Sequence, residues 1–426
     1  MLAARQFDTV VAQNRARTEQ IAVDHHQAAR QNSDRAFQHA HVDVHFKAVY
    51  TLPAQKGFCE GDDGWVVAAD KFLHAAELTP SHRECRGQEG NRRMDQIAIA
   101  DKPHVALARL MRDEMSAVDA LIRARMVSEH APRIPEVTAH LVEAGGKRLR
   151  PLLTLAVAAM CGYDGDNHIR LAATVEFIHT ATLLHDDVVD ESEKRRGRPT
   201  ANLMWDNKSS VLVGDYLFSR AFQLMVETGN LRVLDILANA SATIAEGEVL
   251  QLTAAQDLGT DEAVYMNVIR GKTAALFAAA TEVGGVIAAA PEASVTALRD
   301  YGDALGIAFQ IVDDLLDYGG STAKLGKNTG DDFRERKLTL PLIKAVAAAD
   351  DTERAFWQRV IGDGQQKDGD LAQAMALMQR HGTLAATRAD AIGWATRAKA
   401  ALTGLPDSEI REHLTGLADY VVARVV

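Results

Sequence analysis

Apolar side chains recur every three or four positions along most of the chain from residue 104 onward. This spacing is the period of an α-helix that turns one face to a core. Alternating Val, Ile or Thr runs are scarce and aromatic residues make up only 5% of the chain, which disfavours a sheet. The helical pattern is interrupted at Gly145-Gly146, Gly162, Gly197, Gly229, Gly259 and Gly319-Gly320. We therefore predict an all-α protein.

Residues 1–93 differ from the rest of the chain. They hold seven of the fifteen histidines and two of the three cysteines, and they show no sustained helical period. Met94 begins a segment that resembles a natural start, so one interpretation is that 1–93 is upstream sequence read in frame. The alternative is a genuine disordered extension. In either case, we expect the catalytic domain to span 94–426.

Charge and composition exclude several classes of partner. The 426 residues are 47% hydrophobic, which suits a large core, and the formal charge of -11 disfavours nucleic acid or an anionic membrane surface as a partner. No apolar run reaches the ~18 residues of a membrane span. The three cysteines share no spacing typical of a metal site or disulfide framework, which favours a reducing compartment. We expect a soluble, cytoplasmic protein.

Two acidic motifs of the form DDxxD end apolar runs, at 183–190 (LLHDDVVD) and at 309–317 (FQIVDDLLD). On a helix, residues four apart share a face, so Asp186 lies beside Asp190, and Asp313 beside Asp317. A single such motif is usually a solvated helix face, but two copies, each continuing a core pattern, favour a site. Clustered carboxylates repel one another unless a cation neutralises them, and oxygen ligands of this kind suit Mg²⁺ together with substrate phosphate.

Two basic segments complement these acids. The segment GGKRLRP at 145–151 carries three cations, and Arg195 and Arg196 follow the first acidic motif. Arginine binds phosphate oxygens in a bidentate manner and lysine adds a point charge. Either segment alone could be a surface loop. Together with the acidic motifs, they indicate two phosphate sites, one reached through metal and one bound directly.

These motifs resemble those of the trans-prenyltransferase family, the all-trans polyprenyl diphosphate synthases. The two DDxxD motifs, GGKRLRP, GKTAALF at 271–277 and GDDFRERKLTLP at 330–341 stand in the order typical of that family. The segment HTATLLHDDVVDESEKRRG at 179–197 is most similar to the bacterial enzymes that make the octaprenyl or decaprenyl tail of ubiquinone. Residues 1–93 match nothing in the family pattern.

The resemblance implies a homodimer in which each bundle of antiparallel helices surrounds a deep apolar cavity. It assigns three Mg²⁺ ions to Asp186, Asp190 and Asp313, with Asp187, Asp314 and Asp317 in support. The allylic diphosphate, with farnesyl diphosphate as the expected primer, is assigned to Arg195, Lys272, Thr273, Gln310, Lys327 and Lys337. Isopentenyl diphosphate is assigned to Lys147, Arg150, His179 and Arg196. His185 is interpreted as structural.

Product length is expected to follow from the residues one turn before Asp186. Ala181 and Thr182 are small, whereas shorter-chain relatives carry bulky aromatics there, so the resemblance implies a C40 to C50 product. Phe177 lies one turn deeper and is another candidate floor.

Other functional hypotheses remain open from the sequence. A shorter-chain synthase, or the catalytic subunit of a heteromeric synthase, would share all of these motifs. A class I terpene cyclase would not need the basic isopentenyl diphosphate pocket. A regulatory subunit would not need both acidic motifs complete. A phosphohydrolase suggested by LLHDD lacks further histidine ligands at suitable spacing.

Overall fold

The computed structural model describes residues 102–143, 145–319 and 330–425. The predicted boundary at residue 93 and the predicted site residue Lys327 lie outside these ranges. Within them the chain is helical apart from one two-stranded ribbon, so the predicted all-α class is confirmed. The deep apolar cavity stays a prediction.

The first half of the described chain begins with helices α1 to α5 and continues through the ribbon to α8. Their bounds are α1 Pro103–Leu110, α2 Arg112–Arg125, α3 Arg133–Glu143, α4 Leu149–Met160, α5 Asn167–Val189, β1 Lys194–Arg195, β2 Arg198–Pro199, α6 Ala201–Met204, α7 Asn207–Glu227 and α8 Leu231–Ala254. The two strands are antiparallel, with Lys194 opposite Pro199 and Arg195 opposite Arg198. Caps fix several helix starts: Asp206, for example, accepts a hydrogen bond from the Ser209 amide at the start of α7.

The second half contains two π-helical turns, each continuous with the α-helix before it. The bounds are α9 Glu262–Ile269, π1 Arg270–Ala274, α10 Ala275–Ile287, α11 Glu292–Gly319, α12 Asp331–Arg334, α13 Leu340–Ala348, α14 Asp351–Trp357, π2 Gln358–Gly362, α15 Asp370–Arg380, α16 Thr383–Ala401 and α17 Glu409–Val422. None of the helices in the described ranges is long and apolar enough to cross a bilayer.

Helix α5 lies in the main core and is buried on several sides. It packs against α2, α4, α7 and α10, and its buried positions run from Leu171 to Asp187. A helix surrounded in this way is apolar over most of its circumference. Helix α11 packs against α10, π1 and α16. The polar ends of α5 and α11 therefore carry the two acidic motifs out of one apolar core.

A second, smaller core supports the segment that follows α11. Trp357, Val360 and Ile361 are fully buried there, together with Tyr318 from the end of α11 and Phe333 from α12. Asp350 and Glu353 form a capping box at the start of α14. This smaller core holds residues 330–380 beside the second acidic motif.

Candidate active site

The end of α5 is tied to the two-stranded ribbon by a buried ion pair. Asp187 is fully buried, and its Oδ1 accepts hydrogen bonds from Arg195 at 2.7 Å from Nη2 and 2.9 Å from Nε. The ribbon turns back through Arg196 and Gly197, both at positive φ. The turn therefore places two successive arginines, Arg195 and Arg196, beside the first acidic motif.

Asp186 faces a mixed group of charges from three elements. Burial raises the pKa of Asp186 to about 7; Lys272 opposes this shift, while Glu248 and Asp190 add to it. Lys272 Nζ donates to Glu248 Oε2 at 2.8 Å, so the charge of Lys272 is shared between two acids. The first acidic motif thus holds more negative charge than its protein neighbours neutralise.

Asp190 lies at the C-cap of α5 and meets the segment after α12. Lys337 Nζ donates to Asp190 Oδ2 at 3.4 Å and pairs with Glu335 at 2.7 Å. Burial lowers the pKa of Lys337, but Asp190 and Glu335 outweigh burial and raise that pKa above its usual value. Lys337 therefore links the end of the first motif to the segment that follows the second.

The second acidic motif is held by buried hydrogen bonds. The Tyr265 hydroxyl donates to Asp314 Oδ2 at 2.6 Å, and Gln310 Nε2 donates to Asp314 Oδ1 at 2.9 Å. Burial raises the pKa of the Asp314 carboxyl, the two hydrogen bonds oppose that rise, and Asp313 and Asp317 reinforce it. Of the two neighbouring acids, only Asp313 is partly exposed, because Asp314 is turned inward.

The Asp317 side chain accepts hydrogen bonds from the first backbone amides of α12. Its Oδ1 and Oδ2 accept from the backbone amides of Asp331 and Asp332, each at 3.1 Å. Its backbone carbonyl also accepts from the Gly330 amide at 2.9 Å. Asp317 thus ties the end of α11 to the start of α12.

The turn π1 connects the two acidic motifs. Lys272 acts on Asp186, and the next residue, Thr273, donates from its Oγ1 to Gln310 Oε1 at 2.7 Å. The helix α8 crosses π1 at Gly247, where an added Cβ would lie 2.7 Å from the Lys272 amide nitrogen. Only glycine permits this backbone contact, which sets the position of both Lys272 and Thr273.

A cluster of arginines surrounds one buried carboxylate on α5. Arg148 Nε lies 3.4 Å from Glu176 Oε1, and burial raises the pKa of Glu176 while Arg148, Arg150 and Arg196 lower it. A methyl group added at Gly146 would lie 2.8 Å from Arg196 Nη1, so the guanidinium rests on the GGKRLRP turn. Arg148 also lies 3.4 Å from Asp119, so three guanidiniums face two carboxylates and the cluster keeps a net positive charge.

His179 lies beside this cluster. Arg150 Nη1 donates to His179 Nε2 at 3.2 Å, and the Arg150 guanidinium lies 4.5 Å from the centre of the Phe277 ring. Burial lowers the pKa of His179 far below its usual value, and the neighbouring arginines lower it further, so the imidazole is neutral. Lys147 is exposed and its Nζ lies 5.4 Å from the Tyr420 ring centre.

The two residues assigned to product length occupy different environments. Ala181 is fully buried, whereas Thr182 is half-buried and its hydroxyl donates to the backbone carbonyl of His179 at 2.9 Å. Phe177 is 1% exposed, one turn deeper in α5. His185 contacts the backbone of α7, with Nε2 3.1 Å from the Val211 carbonyl oxygen. This contact agrees with a structural role for His185.

Sequence reasoning missed Glu176 and Tyr265 as members of the site. Glu176 is seven positions before the "LL" of the first motif and is the only acid between Asp166 and Asp186 on that apolar helix, which is a signal that could have identified it. Tyr265 sits in an ordinary apolar helix pattern and carries no such signal. Its role becomes visible only through its contact with Asp314.

The chemistry of the acidic groups fits a hard divalent cation. Asp186 has a raised pKa among like charges, Glu248 keeps one buried oxygen without a hydrogen-bond partner, and all the available donors are oxygen atoms. Within the described ranges, no three acidic, histidine or cysteine side chains already converge on one metal position.

Two surface clefts lie apart from these residues. One of about 570 Å³ is lined by Arg125, Phe222 and Val226, among others, and one of about 480 Å³ lies beside Trp357 and Leu258. Neither contains a residue predicted for the site.

Comparison with known proteins shows which family this chain belongs to. Residues 131–378 match the family model described as polyprenyl synthetase. The chain is 44% identical over 315 residues to the octaprenyl diphosphate synthase of Escherichia coli (strain K12), a match that covers 74% of this chain and 97% of that protein.

Solved structures give the same result. A decaprenyl diphosphate synthase from Rhodobacter capsulatus superposes with a TM-score of 0.74 at 73% identity, covering 76% of this chain and 99% of that one. A polyprenyl synthase from Caulobacter crescentus CB15, complexed with calcium and isoprenyl diphosphate, superposes with a TM-score of 0.71 at 54% identity, covering 74% and 96%.

Proposed function

Because this chain belongs to the polyprenyl synthetase family, we propose that it is an all-trans polyprenyl diphosphate synthase that makes a C40 to C50 product. Members of the family are prenyltransferases, so the resemblance seen in the motifs is confirmed. The long product is supported by relatives described as octaprenyl and decaprenyl diphosphate synthases. The enzyme would be a homodimer in the cytoplasm. Its product would supply the side chain of ubiquinone.

The observation that carries this proposal is the pairing of an under-neutralised acidic group with a separate excess of arginines. Asp186 has a pKa of about 7 because burial and like charges outweigh Lys272. Around Glu176 on the same helix α5, the guanidiniums of Arg148, Arg150 and Arg196 outnumber the carboxylates of Glu176 and Asp119. An enzyme that joins two diphosphates needs one region that attracts metal and one that attracts phosphate directly.

The acidic motifs would hold Mg²⁺. We assign three ions to Asp186, Asp190 and Asp313. Asp187, Asp314 and Asp317 support them, since their oxygens are engaged by Arg195, by Tyr265 and Gln310, and by backbone amides. Bound Mg²⁺ would neutralise charge that develops on the departing diphosphate.

The allylic diphosphate, with farnesyl diphosphate as primer, would contact the cations nearest the acidic motifs. Arg195, Lys272 and Lys337 are close to Asp187, Asp186 and Asp190 respectively, and Lys327 is assigned by its motif position. When the allylic C–O bond breaks, positive charge develops on carbon, and the oxygens of Thr273 and Gln310 would stabilise it.

Isopentenyl diphosphate would bind the arginine cluster. Arg150 is fixed by His179 and by the face of Phe277, and Arg196 rests on Gly146. Lys147 is exposed at the edge of the cluster. Such fixed guanidiniums bind phosphate with little loss of side-chain entropy. They would hold the C3–C4 double bond against the cation, and the proton lost on condensation would pass to the released diphosphate.

The residues of α5 that precede Asp186 by about one turn would set the product length. Ala181 presents only a methyl group and Thr182 is engaged with the backbone, so neither blocks a growing tail. Apolar walls around the tail would exclude water that could quench the cation.

The test is an elongation assay on the full chain with farnesyl diphosphate, labelled isopentenyl diphosphate and Mg²⁺, with chain-length analysis of the extracted product. We expect a C40 or C50 product that EDTA abolishes. Arg150→Met should prevent incorporation, whereas Arg299→Met, an exposed arginine on α11, should not. A product of C20 or shorter, a cyclic hydrocarbon, or no Mg²⁺-dependent elongation would each contradict the proposal.

A further inference from the structure

A chain of three hydrogen bonds joins three neighbouring elements around the second acidic motif. Tyr265 on α9 donates to Asp314 on α11 at 2.6 Å, and Asp314 also accepts from Gln310 at 2.9 Å. Gln310 in turn accepts from Thr273 in π1 at 2.7 Å. We call Tyr265, Asp314, Gln310 and Thr273 the polar chain.

The polar chain has a fixed direction. Both oxygens of Asp314 act as acceptors, one for Tyr265 and one for Gln310. The amide nitrogen of Gln310 can only donate, so Gln310 must turn that nitrogen to Asp314 and its oxygen to Thr273. Thr273 then has to donate its single hydroxyl proton to Gln310. The lone pairs of Thr273 Oγ1 are therefore left to face another group.

The position of Thr273 indicates what that group is. The preceding residue, Lys272, lies between Glu248 and Asp186. The residue before Gln310, Phe309, has its ring centre 5.7 Å from that of Phe277, on which Arg150 rests. The residues next to Thr273 and to its partner Gln310 thus contact both sets, those assigned to the allylic diphosphate and those assigned to isopentenyl diphosphate.

We propose that Tyr265 is a positioning residue that sets the direction of the polar chain and so directs the Thr273 Oγ1 lone pairs at the allylic cation. The inference rests on the proposed function. Tyr265 is 4% exposed and touches no substrate. Its hydroxyl occupies Asp314 Oδ2, which leaves only Oδ1 for Gln310 and holds the amide in one orientation. Without that bond, the Asp314 carboxylate can rotate away from Gln310 Nε2, and the amide, no longer held by an acceptor, can present either end to Thr273.

A simple anchoring role makes a different prediction. If the Tyr265 hydroxyl only ties α9 to α11, its loss lowers stability and leaves the chemistry of Thr273 alone. A matched control exists on α11: Tyr301 is fully buried, and its hydroxyl donates to the Leu414 carbonyl at 2.8 Å. Tyr301→Phe removes one buried hydrogen bond of the same kind outside the polar chain.

The test is a kinetic double-mutant cycle in the elongation assay, using Tyr265→Phe, Thr273→Val and both together. We expect Tyr265→Phe to lower kcat about tenfold with KM for isopentenyl diphosphate unchanged. In the Thr273→Val background the same change should alter kcat less than about twofold, because no oriented hydroxyl remains. Tyr301→Phe should leave kcat unchanged. An equal loss of kcat in both backgrounds, or none in either, overturns the inference.

Urea unfolding of the same protein tests the polar chain without catalysis. Tyr265→Phe and Gln310→Met each remove a donor to Asp314, so the midpoint shift of the double variant should differ from the sum of the single shifts. Additive shifts would overturn the inference. A wild-type enzyme that elongates nothing would instead refute the proposed function, and the urea cycle would still decide whether the polar chain exists.

Discussion

Replacing Asp186 by asparagine should stabilise the metal-free protein at pH 8 but not at pH 4. Asp186 ionises in the unfolded chain with a pKa near 3.8, whereas burial raises the folded pKa to about 7. Between these values the folded protein holds a proton that the unfolded chain has released. The free energy of unfolding therefore falls as pH rises from about 4 to about 7. The Asp186→Asn variant has no charge to bury at this position and escapes that loss.

The size of the effect follows from the pKa difference. The folded and unfolded pKa values differ by about three units, and each unit corresponds to about 1.4 kcal/mol. The variant can therefore gain at most about 4 kcal/mol of unfolding free energy over the wild type at pH 8. Asp186 keeps some solvent contact and Lys272 lies near, so we expect about 2 kcal/mol. At a urea slope of about 3 kcal/mol per molar, the midpoint would rise by about 0.7 M. Below pH 4 the wild type and the variant should coincide.

The assay is urea unfolding in EDTA at pH 4 and pH 8, with Asp235→Asn as control. Asp235 is an exposed carboxylate on α8, and its replacement should leave the midpoint nearly unchanged at both pH values. A variant that is less stable than wild type at pH 8, or equally stabilised at both pH values, would refute the reasoning.

Adding Mg²⁺ with inorganic diphosphate should make the wild type more stable than the Asp186→Asn variant. A ligand at a hundred times its Kd stabilises by about 2.7 kcal/mol, and the wild type alone would gain it in full. Asp186 destabilises the protein without metal but would stabilise it once Mg²⁺ and diphosphate are bound. In the elongation assay, Asp186→Asn should abolish activity. Equal gains in wild type and variant would remove Asp186 from the metal site.

Three further predictions concern backbone contact, product length and phosphate binding. Gly247→Ala should cost about 1–3 kcal/mol of unfolding free energy in urea, because its Cβ would lie 2.7 Å from the Lys272 nitrogen. Gly393→Ala, at an open helical position, should be neutral or slightly stabilising; an equal loss at both sites would contradict the crossing argument. Ala181→Phe should shorten the main product in chromatography of the extracted lipid, and unchanged length would exclude Ala181 as a limit. Arg150→Lys should raise KM for isopentenyl diphosphate about tenfold in steady-state kinetics, since lysine cannot reproduce the stacked, hydrogen-bonded fork; an unchanged KM would contradict its assignment.

The helical fold and the local sites could be predicted because they depend on short-range sequence. Four-residue spacing predicted that Asp186 and Asp190 share a helix face, and the structure adds that Lys337 contacts Asp190. The contact between Arg150 and His179 joins residues 29 positions apart, and periodicity gives no information about such pairs. Their common assignment came from the family resemblance.

The polar chain could not be predicted in the same way. Tyr265 and Asp314 are 49 positions apart, and an apolar helix can hold a tyrosine for packing alone. The contact between Gly247 and Gly271 also depends on how two helices cross, which glycines in sequence do not specify. Motifs identified the chemistry of the site, whereas tertiary packing determined which side chains hold it in place.

The turn π1 carries one residue more than an α-helical turn would need. The Ala275 amide donates to the Arg270 carbonyl, five positions back, within an otherwise continuous helix from 262 to 287. Such a turn is what a helix becomes when a single residue is inserted and both ends stay in place. A deletion of Gly271 would restore a regular helix, but it would bring a bulkier side chain to the crossing with Gly247. It would also turn Lys272 and Thr273 by about 100° around the helix axis, away from the acidic motifs. Along this stretch, the loss of one codon would therefore disturb the helix crossing and the active site together.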